Sequence, residues 1–254
     1  MDKNQNGKKN FFYKYRLPLT LIYADQLSRM DKPGESEIWN ALWGQTDAPD
    51  PWFENIDFIE KIFIAFKSIS PLKTPILDVG CGRGKFLEYV FSHGGHFGLG
   101  TDFAFSSIKS GTIPAIVSNA CDLPFSSNTF CSITSILAIE HIPDYDRFFA
   151  ESFRLLKSEG CLYLIFPNYW SLVTPAMGIK RLFFRGKSEG FYFQTLKRRD
   201  VCKYLENTGY RILYVGFFSI ANYLSGFERF IGSTLGSILP KKNKEEIIIV
   251  CQKA

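Results

Sequence analysis

Between residues 76 and 86 the chain reads Ile76-Leu77-Asp78-Val79-Gly80-Cys81-Gly82-Arg83-Gly84-Lys85-Phe86. An apolar, strand-like run ends in a carboxylate, and glycines at alternate positions let the backbone turn sharply into a helix. A loop built for a dinucleotide pyrophosphate would place its third glycine at position 85, where this chain has lysine. Asp78 argues the same way, because a carboxylate repels a phosphate and attracts a cation. Acids also fall at the ends of the next two strand-like segments. Asp102 closes Gly100-Thr101-Asp102 and can accept hydrogen bonds from both hydroxyls of a ribose. Asp122, in Asn119-Ala120-Cys121-Asp122-Leu123-Pro124-Phe125, can accept from an adenine amino group. Taken singly, the loop could be a turn that binds nothing and Asp122 a capping aspartate. Three strand-end acids in chain order favour a site.

A ligand with positive charge, a ribose, an adenine and no phosphate satisfies all three positions, and S-adenosylmethionine (SAM) is such a molecule. Displacement at a sulfonium methyl asks mainly for alignment, which can supply roughly 7–11 kcal/mol. A general base adds on the order of 10²–10⁴-fold where the acceptor has a proton to lose. His141, just past the fourth strand-like segment, is the candidate base. The competing reading has Glu140-His141 order the start of the next helix and touch no substrate. Tyr169 and Trp170, after the fifth strand, either meet the substrate or pack within a lid.

The elements that must position these residues follow from hydrophobic period. Apolar residues at 56, 59, 63 and 66 predict a helix over Ile56–Phe66, and Pro71 and Pro75 mark its boundary. Strands are predicted at Pro75–Val79, 96–100, Ala115–Ser118, Cys131–Ile136 and Cys161–Phe166. Helices lie between them at Lys85–Ser92, about 106–110 and Tyr145–Lys157, with Ser158-Glu159-Gly160 turning the chain into the fifth strand. A helix over 196–207, a strand over Arg211–Phe217 and a final strand over Glu246–Cys251 complete the order. Such alternation predicts an α/β fold, a parallel sheet with helices on both faces.

The blocks ILDVGCGRGKF, GLGTDF, ACDLPFSSNTF and SILAIEHIPDYDRFFAESFRLLKSEGCLYLIFPN occur in that order. In them the chain resembles the class I SAM-dependent methyltransferases of the type 11 group, which includes ubiquinone and menaquinone methylases. The likeness covers about Pro75 to Phe217. It implies a Rossmann-like fold with a mostly parallel seven-stranded sheet whose last strand is antiparallel. It implies that Asp78, Gly80, Cys81, Gly82 and Gly84 line the methionine end of SAM, and that Asp102 and Phe103 hold the ribose. Cys121, Asp122 and Leu123 would meet the adenine, and Leu137 and Ala138 would give backbone contacts. Two departures stand out: Cys131 where the family often has Asp, and Lys85, whose role the sequence does not explain. Some quinone methylases of the family bind a metal with a further Glu three residues before the Glu-His pair. Here Leu137 stands at that position, so no metal is expected.

Acceptor choice would come from the unshared segments: an aromatic N-terminal arm or lid over residues 1–54, and insertions at about 167–195 and 218–244 in a methyltransferase domain of residues 55–254. Between residues 180 and 203, eight cationic side chains face only Glu189 and Asp200. That is a solvated basic face or a surface for an anionic acceptor, a lipid or RNA. Residues 220–239 are amphipathic and suit core packing, a broken helix over the substrate mouth, or contact with a membrane surface or a second subunit. The 254 residues carry 46% hydrophobic and 22% charged side chains, which excludes a disordered or collagenous chain. Neither a spanning helix nor a secretory signal is expected, and six cysteines without metal spacing read as reduced thiols of a cytoplasmic protein. The leading expectation is a SAM-dependent methyltransferase acting on a small-molecule or lipid-like acceptor. An RNA or protein methyltransferase and a non-catalytic SAM-fold binding subunit are the alternatives.

Overall fold

A computed structural model describes residues 55–95, 97–109, 111–168, 196–218 and 246–254. The N-terminal arm, Tyr169, Trp170, most of the basic segment and the stretch 220–239 lie outside them. In order, the elements are α1 (Ile56–Ile69), β1 (Ile76–Val79), α2 (Lys85–Ser92), β2 (Gly98–Asp102), α3 (Phe105–Lys109), β3 (Ala115–Val117) and β4 (Phe130–Ile136). A 3-10 turn, Ile139–His141, leads to α4 (Tyr145–Leu155), β5 (Leu156–Pro167), α5 (Arg198–Thr208), β6 (Tyr210–Phe218) and β7 (Glu246–Lys253).

The strands form one seven-stranded sheet in the order β3-β2-β1-β4-β5-β7-β6. Neighbours from β3 through β5 are parallel, and β7 runs antiparallel to both β5 and β6. The sheet is buried on both faces: β1 is buried at every position and β5 from Gly160 to Phe166, as helices on both sides require. Along β5, Leu162, Leu164 and Phe166 join one core with α4 and α5, while Cys161, Tyr163 and Ile165 join a second core with α1 and α2. β7 alternates in the same way.

Periodicity locates the elements to within about three residues: the first helix runs on to Ile69, and the second strand is Gly98–Asp102 and not 96–100. It misses the start of the fifth strand by more. The fifth strand begins at Leu156, not Cys161, and α4 stops at Leu155 rather than Lys157. Leu156 pairs with Phe130 and Cys161 with Ser132, so Lys157–Gly160 bulge out of the ladder, with Glu159 at φ 59°. A bulge at a turn-like Ser-Glu-Gly sequence reads locally as the end of a helix.

The strand order reverses between β1 and β4, and in open α/β sheets ligands bind at the carboxyl ends of the strands flanking that reversal. Both the glycine loop after β1 and the turn carrying His141 after β4 are there. Among the described residues no helix is long and apolar enough to cross a membrane.

Candidate functional site

The glycine loop is tied through its backbone N–H groups to the end of β2 and to itself. Gly80 and Cys81 donate their N–H groups to the Thr101 carbonyl at 2.8 and 3.0 Å, and Gly84 donates to the Cys81 carbonyl at 2.8 Å. Gly82 donates to Asp102 Oδ2 at 2.8 Å. These four donors are therefore engaged inside the protein, whereas a phosphate cradle keeps such N–H groups for its ligand. Gly80, Gly82 and Gly84 all have positive φ, 74°, 52° and 77°. At Gly80 a Cβ would stand 2.3 Å from the Ala138 Cβ, so the loop after β1 can lie against the chain after β4 only because residue 80 lacks a side chain.

Two acids bracket this loop. Asp78 is 3% exposed and accepts the Thr134 hydroxyl at 2.7 Å from the neighbouring strand. Burial pushes its carboxyl up to about 7; the Thr134 hydrogen bond opposes the shift and the nearby Asp102 charge adds to it. Asp102 is half-buried at the end of β2 and accepts from the Gly82 and Ala104 N–H groups at 2.8 and 2.9 Å. Its pKa is raised as well, by burial, against the pull of hydrogen bonds from Ala104, Gly82, Ser107 and Phe103. Two neighbouring carboxylates that resist ionisation by themselves are stabilised by a cation and destabilised by a phosphate.

Between the acids the Cys81 thiol fills the space above Gly100, where a Cβ would come within 2.6 Å of its sulfur. Burial and the charges of Asp102 and Asp78 hold this thiol well above its ordinary pKa, which removes it as a nucleophile. The third wall is the Asn119–Phe125 loop. The Asn119 side chain accepts from the Cys121 N–H at 2.9 Å, and Asp122 stands exposed between buried Cys121 and Leu123. Burial pushes the Cys121 thiol up to about 11, and its sulfur donates to the Asp144 carbonyl at 3.2 Å.

After β4 the chain turns at Leu137, whose φ is 51° and whose N–H donates to the Ile165 carbonyl at 2.8 Å. Ala138 follows, and then the turn holding Glu140 and His141. Asp78, Gly80, Gly82, Gly84, Asp102, Leu137 and Ala138 thus gather around the strand reversal. Phe103, half-buried, follows Asp102 directly. Tyr169 lies outside the described residues.

Sequence reasoning missed Thr134, which is central to the electrostatics of Asp78. It becomes visible only with the pairing of β1 and β4, which sets Thr134 opposite Asp78 and distinguishes it from Ser132 and Ser135 in the same strand. Lys85 gains a role: its Nζ pairs with Glu88 at 3.0 Å on α2. Among the described residues no three His, Cys, Asp or Glu side chains stand close enough to hold a metal ion. All six cysteines are free thiols.

Residues 77–164 match the family described as Methyltransferase domain. A demethylmenaquinone methyltransferase of Listeria welshimeri is 28% identical over 130 residues, which make up 41% of this chain and 55% of the relative. The chain thus spans about half the length of the curated relatives it matches. In the complex between the Haloferax volcanii Trm112 methyltransferase activator and a methyltransferase, one chain superposes with a TM-score of 0.62 at 12% identity. That match covers 86% of this chain and 97% of the other. Geranyl diphosphate methyltransferase, solved in complex with SAM, gives a TM-score of 0.58 at 14% identity, over 77% of this chain and 85% of its own. At such identities the structural likeness is one of fold.

Proposed function

From a chain whose residues 77–164 form a class I, SAM-dependent methyltransferase domain, we infer an enzyme that transfers a methyl group from SAM to a small-molecule or lipid-like acceptor. The observation that carries this reading is the glycine loop, with the N–H groups of Gly80, Cys81, Gly82 and Gly84 spent internally and two acids of raised pKa beside it. That donor set suits a cationic nucleoside and not a dinucleotide. When bound, SAM supplies a methyl group already activated on a sulfonium.

The residues of this chain would divide the work. Asp78 would face the cationic methionine end, with Gly80, Cys81, Gly82 and Gly84 shaping the floor. Asp102 would accept from the ribose hydroxyls and Phe103 would flank them. Cys121, Asp122 and Leu123 would enclose the adenine, where a charged acceptor and two buried apolar neighbours suit a flat, amino-bearing ring. Leu137 and Ala138 would close the methionine end from β4. His141 would take the acceptor's proton.

One comparison supports a lipid-like acceptor: relatives named for the methylation of demethylmenaquinone. The basic surplus over residues 180–203 supports a second reading, an RNA or protein acceptor. We place the protein in the cytoplasm on its free thiols.

Calorimetric titration with S-adenosylhomocysteine, run beside NAD, tests the cofactor assignment. Micromolar binding of the first and none of the second is expected. Asp102→Ala should weaken that binding at least tenfold, since charge-assisted bonds to a ribose are worth about 1.5–3 kcal/mol. Binding of NAD instead, or of neither ligand, would remove the enzyme reading and leave a fold used as a binding subunit. With the cofactor established, labelled SAM and cell extracts separate lipid from RNA acceptors by solvent partition.

A further inference from the structure

Glu140 is 3% exposed, a rare environment for a carboxyl side chain. It occupies the middle of the 3-10 turn, two residues beyond Ala138 and its contact with Gly80. One oxygen, Oε2, is buried and meets no hydrogen-bond donor among the described residues. The other, Oε1, lies 4.0 Å from Nε2 of His141, whose side chain is 20% exposed. The turn does not depend on this carboxyl for closure. His141 donates its N–H to the Ala138 carbonyl at 2.9 Å and Ile142 donates to the Ile139 carbonyl at 3.1 Å. Nor does the carboxyl cap the following helix, where Asp144 accepts from the Arg147 N–H at 3.0 Å. An incompletely bonded carboxyl in a buried position is costly unless it has a partner in some working state.

We propose that Glu140 is a positioning residue for His141, its carboxyl being the internal counter-charge that holds a proton on Nε2 and leaves Nδ1 as the basic nitrogen. The catalytic use of this pair rests on the methyltransferase reading above; the coupling between the two side chains does not. In use, the acceptor's O–H or N–H bond breaks, its electron pair stays on the acceptor, and the proton resides on Nδ1. The imidazolium so formed is offset by the carboxylate beside it. Closing the 4.0 Å gap to a hydrogen bond takes a side-chain movement of about 1 Å.

Burial pushes the Glu140 carboxyl up to about 8, opposed only by its own backbone N–H. Its pKa therefore overlaps the range in which histidine titrates, and the two groups share their protons as a unit. Neighbouring elements carry Asp78 on β1, tied to Thr134, Asp144 and Asp146 at the start of α4, and Glu246 on β7. The adjoining end of β5, from Tyr163 to Pro167, carries no charge. None of these neighbours contributes to the shift of Glu140.

The test follows the imidazole signals of the full-length protein by NMR between pH 5 and 9. The chain has only three histidines, His93, His96 and His141, so H141Q assigns the signal. In the wild type, His141 should titrate in two steps. In E140Q it should titrate in one, with its midpoint lowered by about one unit, a tenfold loss of proton affinity. E140D should restore part of the shift. A midpoint unchanged by E140Q in a folded protein overturns the proposal. Should E140Q fail to fold, the wild type decides alone: a single-step His141 curve overturns the coupling. Calorimetry with S-adenosylhomocysteine on the same samples keeps the two readings apart. Lost binding with the coupling intact counts against the enzyme and not the pair; retained binding with no coupling counts against the pair alone.

Discussion

The Thr134 hydroxyl donates to Asp78 Oδ1 at 2.7 Å, bridging β1 and β4 where the strand order reverses. It is the one side-chain hydrogen bond favouring the ionised form of a carboxyl that burial otherwise keeps protonated near neutral pH. Thr134→Val keeps the β-branched shape and removes the donor. Asp78 should then hold its proton to higher pH, and S-adenosylhomocysteine should bind about five- to tenfold more weakly at pH 7, for a net hydrogen-bond contribution of about 1–1.5 kcal/mol to a carboxyl only partly ionised there. The loss should shrink at pH 9, where Asp78 ionises in either protein. Equal affinities for variant and wild type at pH 7 would detach Thr134 from the site.

The same carboxyl makes the ligand-free protein sensitive to pH. Asp78 has a folded-state pKa of about 7 against an ordinary 3.8. Between those values the folded chain binds more protons than the unfolded one, so stability falls as pH rises and levels off above about 7. Glu140, pushed up to about 8, extends the decline. Glu151 is shifted the other way by Arg154, but it acts below its ordinary 4.5 and outside this window. Urea denaturation of the ligand-free protein should show lower stability at pH 8 than at pH 5.5. Asp78→Asn should reduce the difference by up to roughly 2 kcal/mol, the part of the shift that lies above pH 5.5. A pH-independent midpoint in the wild type would contradict the burial of these acids.

What the sequence reveals here depends on whether the signal is local. Asp78, Gly80 and Gly82 sit in a loop whose geometry is encoded within a few residues, and Asp102 ends its own strand; all were legible. The seven-strand order was not, because apolar runs such as Ile247–Val250 do not state which neighbour they pair with; the family resemblance supplied the strand count and the antiparallel last strand, and the order came with the structure. The bulge at Lys157–Gly160 was hidden for a different reason: Ser-Glu-Gly serves equally as a helix end or a strand irregularity. Thr134 and Glu140 stayed obscure because their meaning comes from pairing and burial. A hydroxyl in a strand and a glutamate before a histidine are ordinary until one meets Asp78 and the other is sealed from water.

The contact between Gly80 and Ala138 predicts a contrast between two glycines. Both Gly80 and Gly94 have positive φ, 74° and 94°, so alanine is strained at either by about 1–2 kcal/mol. At Gly94 nothing lies within 4 Å of the new Cβ, whereas at Gly80 it meets the Ala138 Cβ at 2.3 Å. Gly94→Ala should therefore lose only the backbone strain and bind S-adenosylhomocysteine normally. Gly80→Ala should lose about 1–3 kcal/mol more in urea denaturation and bind at least tenfold more weakly, because the β1 and β4 loops are forced apart. Equal losses from the two substitutions would mean the loops are free to separate.

The loop before β4 depends on one arginine. Arg154, on α4, donates through Nη1 to the Phe125 carbonyl at 2.8 Å and through Nη2 to the Leu123 carbonyl at 3.3 Å. Glu151 holds that guanidinium at 2.6 Å and also accepts the Leu123 N–H at 2.9 Å. The pair fixes both main-chain polar groups of Leu123, next to the proposed adenine wall of Cys121 and Asp122. Arg154→Ala strips two carbonyls of their donor and leaves a partly buried Glu151 without its counter-charge, a cost of about 1–3 kcal/mol. Nucleoside affinity should fall by more than the affinity for a free methionine moiety does. Competition calorimetry with adenosine and with methionine against S-adenosylhomocysteine reads this directly. If Arg154→Ala weakens both competitors equally, the 119–125 loop does not form the adenine wall, and the weakening is a general loss of stability.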